Sequence, residues 1–491
     1  MEGKDGRSFV GKILETACLI VTWMALALYV EIYGPTLIDL KDRLHTDYEK
    51  VAVAISGRSV GWFPGAVVGG VLVDRFPGYC HLMLAVVLDV AAGVTAAIPM
   101  SPSVTCLWVF CFIGGFVESI LNISGTRILF NMWKEKSVSP LMLVHLGYGI
   151  GSFIVPLYAN PFLADTAGDA DYGNDTLYNN GTVEGNGAIK NNGTISNTSL
   201  SVSRIEYPYG ISAAFAACLS LVFYAYQVRE WKMIPPMMEH TVENEIETTN
   251  TISTEEEKGK SLLEMVNPAS CAGGHFWYGV QIFSLVFLYF GNIGGGDRMI
   301  GSFIRSYSID QLKFTKDSAT LLNTGYWISF SVGRLVFSFF ARILSVRLLI
   351  LVETAGMAVS SVILVLLADD DSLSLWVAML AFAFFASASW PTGIAWIDYH
   401  IVLTGLGLTL QTFGASVGGI CHMRLIGYLY KNFGPKTFLY QALGYGVLQF
   451  TLAVAMNIVG SQHGSRYEKN KNDVSIQVNE EYEDDKLSTK M

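Results

Sequence analysis

The residues of this sequence best able to do chemistry are a few polar side chains set in long uncharged stretches. Glu118, Asn122 and Thr126 recur at intervals of four, so in a helix all three project from one face. A carboxylate, an amide and a hydroxyl on one face can bind a cation or the hydroxyls of a neutral solute. An ionisable group in an apolar segment is costly enough to imply a function. Glu31 is a second such carboxylate, a candidate gate or cation ligand, and Glu118 is the other cation candidate. His145 sits in a glycine-rich run, Gln281 and Asn292 can bond hydroxyls, and Trp390 offers a ring on which a sugar could stack. Asp74 and Arg75 follow Gly69 and Gly70, which places a carboxylate and a guanidinium at the mouth of a glycine-faced helix. Such a pair can lock one arrangement of helices and release in another. Arg334 is expected to support the counterpart network in the second half of the chain. The sequence has no paired carboxylates at catalytic spacing, nucleophile and base set, phosphate loop or metal-ligand cluster, so no enzyme and no metal site is expected.

These residues need membrane helices to position them. Of 491 residues 51% are hydrophobic and only 15% are charged, where a soluble domain carries about 25% charged. The low charge excludes a large soluble enzyme. Uncharged runs predict twelve helical spans: 13–38, 51–73, 82–99, 104–133, 140–163, 207–227, 276–299, 318–343, 348–368, 373–397, 402–430 and 438–459. The fold class is therefore an all-α membrane protein of two six-helix bundles. An N-terminal bundle is expected over 13–229 and a C-terminal bundle over 274–460, joined by an acidic loop at 230–273, with termini at 1–12 and 461–491.

The net charge of −10 belongs mostly to the loop and the tail, and no basic cluster suggests nucleic acid. The seven cysteines fall mainly in apolar runs without ligand spacing. Acceptor sequons at Asn174, Asn180, Asn192 and Asn197 crowd the loop at 165–206, which predicts a glycosylated extracellular loop. Counting from it, both termini are cytoplasmic, and the inner ends of the spans carry a modest excess of Lys and Arg. A plasma-membrane protein in contact with the bilayer, working as a monomer, is expected.

Gly57 and Gly65 in span two, and Gly151 in span five, find counterparts at Gly325, Gly333 and Gly419 with one offset of about 268 residues. Two related halves are the simplest reading.

Gly70, Asp74 and Arg75 resemble the loop signature of the major facilitator superfamily, although Pro77-Gly78-Tyr79 replaces its glycine and basic pair. Gly34-Pro35-Thr36, Gly57-Arg58-Ser59-Val60-Gly61, His145 to Gly151 and Trp390-Pro391-Thr392 resemble its sodium-dependent glucose transporter branch. The resemblance implies alternating access, with two bundles rocking about a midplane site lined by spans one, four, seven and ten. It also implies a hexose such as glucose as solute, sodium as coupling ion and no other cofactor. The chain departs from the branch at two acids. Span four reads Asn122-Ile123-Ser124-Gly125-Thr126 where the branch has Asp-Thr-Gly-Gly-Asn, with Glu118 one turn earlier, and Ile293 stands where span seven has a glutamate. A facilitative uniporter of a small polar solute and a carrier-like sensor are the alternatives. Gly294-Gly295-Gly296 is expected to let span seven unwind, and Asp297-Arg298 to lie near the outer surface.

Overall fold

The computed structural model describes residues 9–134, 138–165, 203–233, 274–369, 371–401, 405–462 and 464, and among them all regular structure is helical. The helices are α1 (Phe9–Val30), α2 (Tyr33–Arg43), α3 (Tyr48–Arg75), α4 (Cys80–Ala97), α5 (Val104–Trp133), α6 (Val138–Ala159) and α7 (Glu206–Met233). The second half contributes α8 (Phe276–Asp310), α9 (Lys316–Phe340), α10 (Val346–Leu367), α11 (Ser372–Ala386), α12 (Ser389–His400), α13 (Gly405–Phe433) and α14 (Thr437–Ser461). With α1–α2 and α11–α12 each counted as one broken crossing, they make the twelve expected crossings. Among the described residues nine segments are long and apolar enough to span a membrane by length and composition. Crossings α9 and α13 carry more polar residues than those nine, and they pack between the halves, α9 on α6 and α13 on α3. Helices that face protein on several sides carry more polar residues than lipid-facing ones.

Side-chain caps fix where several helices start. Asp47 accepts the Lys50 N–H before α3, Ser103 the Cys106 N–H before α5, and Asp371 the Leu373 and Ser374 N–H groups before α11. Each satisfies donors that a helix end leaves open.

Glycines set the packing distances. A Cβ on Gly61 would lie 2.0 Å from the Phe112 carbonyl oxygen, and one on Gly34 would lie 2.3 Å from that of Gly301. The repeat extends from the glycines to what they touch. Gly57 packs on Trp108 and Gly65 on Phe116, while Gly325 packs on Trp376 and Gly333 on Phe384. Both partners move by the same offset of about 268 residues.

One expectation about helix continuity is corrected. Span seven does not unwind at Gly294-Gly295-Gly296: α8 is continuous for 35 residues. Those glycines instead admit Ala415, the Gly418 carbonyl and the Tyr445 ring at close range. Breaks occur elsewhere, at Glu31-Ile32 and at Ser387-Ala388. The sequons, most of the acidic loop from 234 to 273, and the tail from 465 lie outside the described residues.

Candidate transport site

The break between α1 and α2 frees backbone carbonyls at the centre of the molecule. There the Val30 carbonyl accepts a hydrogen bond from Arg58 Nη1 at 3.2 Å. The rest of the Arg58 guanidinium forms a two-pronged ion pair with Glu118, Nε to Oε2 at 2.6 Å and Nη2 to Oε1 at 2.7 Å. Both side chains are buried, so the fork geometry and the neutralised charge are what make the site tolerable. Glu118 was expected as a free carboxylate for a cation or a sugar hydroxyl. In this conformation both of its oxygens are taken by Arg58.

Beside this pair lies a cavity of about 20 Å³ lined by Glu31, Arg58, Ser59, Arg298 and Ser302, with Tyr33 and Met423 among its apolar walls. It sits where α1–α2 and α3 of the first half meet α8 and α13 of the second. Glu31 accepts a short hydrogen bond from the Tyr148 hydroxyl, and its Oε2 lies beside Gly301. Arg298 donates to Ser59 Oγ across the halves and sits over the Trp62 ring at 5.6 Å. Its neighbour Asp297 accepts from Tyr445 Oη at 2.8 Å. These residues are central and not superficial, as the sequence had suggested, because α8 runs on to Asp310 with Ser302, Arg305 and Ser306 buried. A hydropathy reading ends a span at its first charged pair. Charges that face other helices do not end one.

Other expected residues lie elsewhere. Asn122 turns its Nδ2 to the Glu118 carbonyl at 2.9 Å, and Thr126 is half-buried further along the same face. Asn292 is spent within the second half on Gln449 Oε1 and the Tyr445 carbonyl, at 2.7 and 3.0 Å. Trp390 packs edge-on against Phe290 at 5.0 Å, and Gln281 is exposed. His145 contacts Trp23 with its ring, while its carbonyl accepts from Arg334 Nη1 at 3.4 Å. Arg334 also donates to the Ser387 carbonyl at the break between α11 and α12, at 3.1 Å. None of Asn122, Thr126, His145, Gln281, Asn292 or Trp390 lines the cavity. Arg58, Ser59, Arg298 and Tyr148 occupy the centre instead. Gly57-Arg58-Ser59 stood out in the sequence, yet only the fold shows that Arg58 finds Glu118.

Toward the face opposite the chain termini, side chains from both halves close over the cavity. Tyr48 and Tyr430 both donate to Asp310 Oδ2, at 2.7 and 2.8 Å. Lys431 pairs with Glu49 at 2.8 Å and Asp47 at 3.1 Å. Asn160 bonds both Asp317 and Thr320 at 2.6 and 2.8 Å. At the terminal face Asp74 and Arg75 are exposed and make no ion pair among the described residues.

Residues 18–421 match the family model of the Major Facilitator Superfamily. The chain belongs to that superfamily. It is a multi-pass membrane transporter and not an enzyme. Among similar proteins, sodium-dependent glucose transporter 1 of Homo sapiens is 23% identical over 87% of this chain and 76% of its own length. Major facilitator superfamily domain-containing protein 4A of Xenopus tropicalis is 21% identical over 90% of this chain and 91% of its own. Among solved structures, the inward open xylose transporter XylE from E. coli superposes with a TM-score of 0.62 at 13% identity, covering 91% of this chain and 95% of its own. The fucose:proton symporter FucP from E. coli gives 0.55, also at 13% identity. Within this superfamily fold, the seam between the halves runs through the cavity, and Arg334 and Arg298 each bond across it.

Proposed function

We propose that the protein carries a hexose such as glucose across the plasma membrane by alternating access. The observation that carries this reading is the buried polar cavity on the seam between two repeat-related bundles, closed on one face by Asp310 and Lys431. At about 20 Å³ it has room for a water-sized guest, so a sugar enters only when the halves part. Arg298, Ser59 and Ser302 offer hydroxyl partners there, and the relatives' names supply the solute class. Glu31 is the cavity carboxylate left for sodium once Glu118 is engaged by Arg58.

Radiolabelled hexose uptake with sodium replaced by choline is the direct test. Loss of uptake supports sodium coupling. Unchanged uptake leaves a uniporter or a proton-driven carrier, and absence of any hexose uptake refutes the proposed solute. The topology proposal places both termini in the cytoplasm, with Asn174, Asn180, Asn192 and Asn197 outside and glycosylated. A glycosidase-sensitive mass shift on intact cells, lost when all four become Gln, checks it.

A further inference from the structure

The C-terminal half buries another carboxylate, which neither the cavity nor the seam uses. Glu353 on α10 is 0% exposed. Its Oε1 accepts from Thr392 Oγ1 at 2.8 Å, and its Oε2 has no hydrogen-bond partner among the described residues. Ile350, one turn earlier on α10, belongs to an apolar cluster with Phe290, Trp396 and Ile397.

The groups facing Glu353 from the surrounding helices do not neutralise it. From α8 comes Tyr289, whose hydroxyl is donated to the Ser389 carbonyl at 3.0 Å. Of the titratable groups on α14, Tyr440 is exposed and Tyr445 is committed to Asp297. On α12, His400 lies two turns beyond Thr392 and is held by Arg347 from the start of α10, at 3.1 Å. Asp398 and Tyr399 share that end of α12, and α11 carries no titratable side chain. No lysine or arginine pairs with Glu353 among the described residues. An ionised carboxylate with one neutral donor in apolar surroundings is strongly disfavoured. A metal cation would need a shell of oxygens, whereas one hydroxyl stands beside this carboxyl. A proton requires only the free oxygen.

We propose that Glu353 is a proton-carrying site of the transport cycle, protonated on Oε2 in the conformation seen here and deprotonated when the seam rearranges. The proton comes from water, forms the O–H bond of the carboxylic acid and returns to water on release. The route from this carboxyl to the seam is short. Thr392 belongs to α12, the second piece of a crossing broken at Ser387-Ala388. Arg334 donates both to the Ser387 carbonyl at that break and to the His145 carbonyl of the other half. Charging Glu353 would pull on Thr392 and so on the element that Arg334 ties across the seam.

The inference rests on the transport reading but not on the identity of the solute. Two measurements on the purified full-length chain test it. Without solute, the melting temperature of the wild type is expected to change with pH in a way that Glu353→Gln loses and Glu353→Asp retains. In proteoliposomes, an imposed proton gradient is expected to accelerate net hexose uptake by the wild type. Glu353→Gln should lose that acceleration while keeping equilibrium exchange. A Glu353→Gln protein that responds to pH and to the gradient as the wild type does overturns the proposal. So does a wild type whose response follows sodium at fixed pH and ignores protons. If no hexose is carried, the hexose reading fails, and the solute-free melts still decide the role of Glu353.

Discussion

The buried Arg58–Glu118 pair holds span two to span four beside the cavity, and its energetics follow from desolvation. Glu118→Gln leaves a buried guanidinium partly unpaired, which costs about 3–5 kcal/mol. The double replacement Arg58→Met with Glu118→Leu is expected to recover most of that loss in thermal melts, because apolar residues of similar volume carry no desolvation cost. Transport by the double variant should still fail if the pair also shapes the cavity. Arg298 differs from Arg58 in lining the cavity without a salt-bridge partner among the described residues, its guanidinium bonding Ser59 and lying over Trp62. A hydrogen bond from a charged donor contributes about 1.5–3 kcal/mol. Arg298→Met is therefore expected to raise the solute concentration for half-maximal uptake by about tenfold or more, with little change in melting temperature. Equal losses in affinity and stability would instead mark Arg298 as a packing residue. Glu118 was legible in the sequence because a lone acid in an apolar run announces itself. Its partner was not, because which helix an arginine faces is decided by packing.

At the scale of the helix, glycines separate into those that set a contact and those that do not. Gly61 and Gly115 lie against opposing carbonyls, with an added Cβ at 2.0 Å and 1.9 Å, whereas nothing stands within 4 Å of a Cβ on Gly70. Gly61→Ala must push α3 and α5 apart, which is expected to cost about 1–3 kcal/mol or more. Gly70→Ala should leave stability unchanged or raise it by up to about 1 kcal/mol, the helix-propensity difference. If Gly70→Ala nevertheless slows uptake, the glycine serves another arrangement of the bundles, in which Asp74 and Arg75 would engage. Comparing melting with initial uptake rate for the two variants separates these roles. The spacing of glycines was readable from the chain. Which of them meet a neighbouring backbone required the helices to be placed.

For the whole molecule, the closed face is the quantity to perturb. Asp310 gathers Tyr48 from the first half and Tyr430 from the second, and Lys431 ties α13 to the start of α3. Asp310→Ala should loosen this closure. A cysteine at Ser302, in a background without the exposed Cys218 and Cys421, is then expected to react with an impermeant thiol reagent added on that side. The intact closure should protect it. The same assay has a pH arm through Asp47. Burial acts upward on its carboxyl, but the Lys50 N–H and the Lys431 ammonium prevail and hold it below the ordinary aspartate value. A depressed value means that the contribution of Asp47 is complete above about pH 3.9 and is lost as pH falls through the lowered value. Labelling of the cysteine should accordingly rise only under strongly acidic conditions on that face. A rise near neutrality would point to another group.

Composition and hydropathy by themselves determined a membrane protein of twelve helical crossings, because each crossing must satisfy its own backbone and bury its own apolar length. The glycine offset likewise revealed two related halves, since close helix approach tolerates no side chain at those points. Only the tertiary structure decided which polar groups share the centre. It broke the first crossing at Glu31, kept the seventh continuous through Gly294-Gly295-Gly296, and moved Arg298 from an expected surface to the cavity. The reason is physical: a sequence records the polarity of each position, whereas a buried charge is permitted by the partner that packing brings to it.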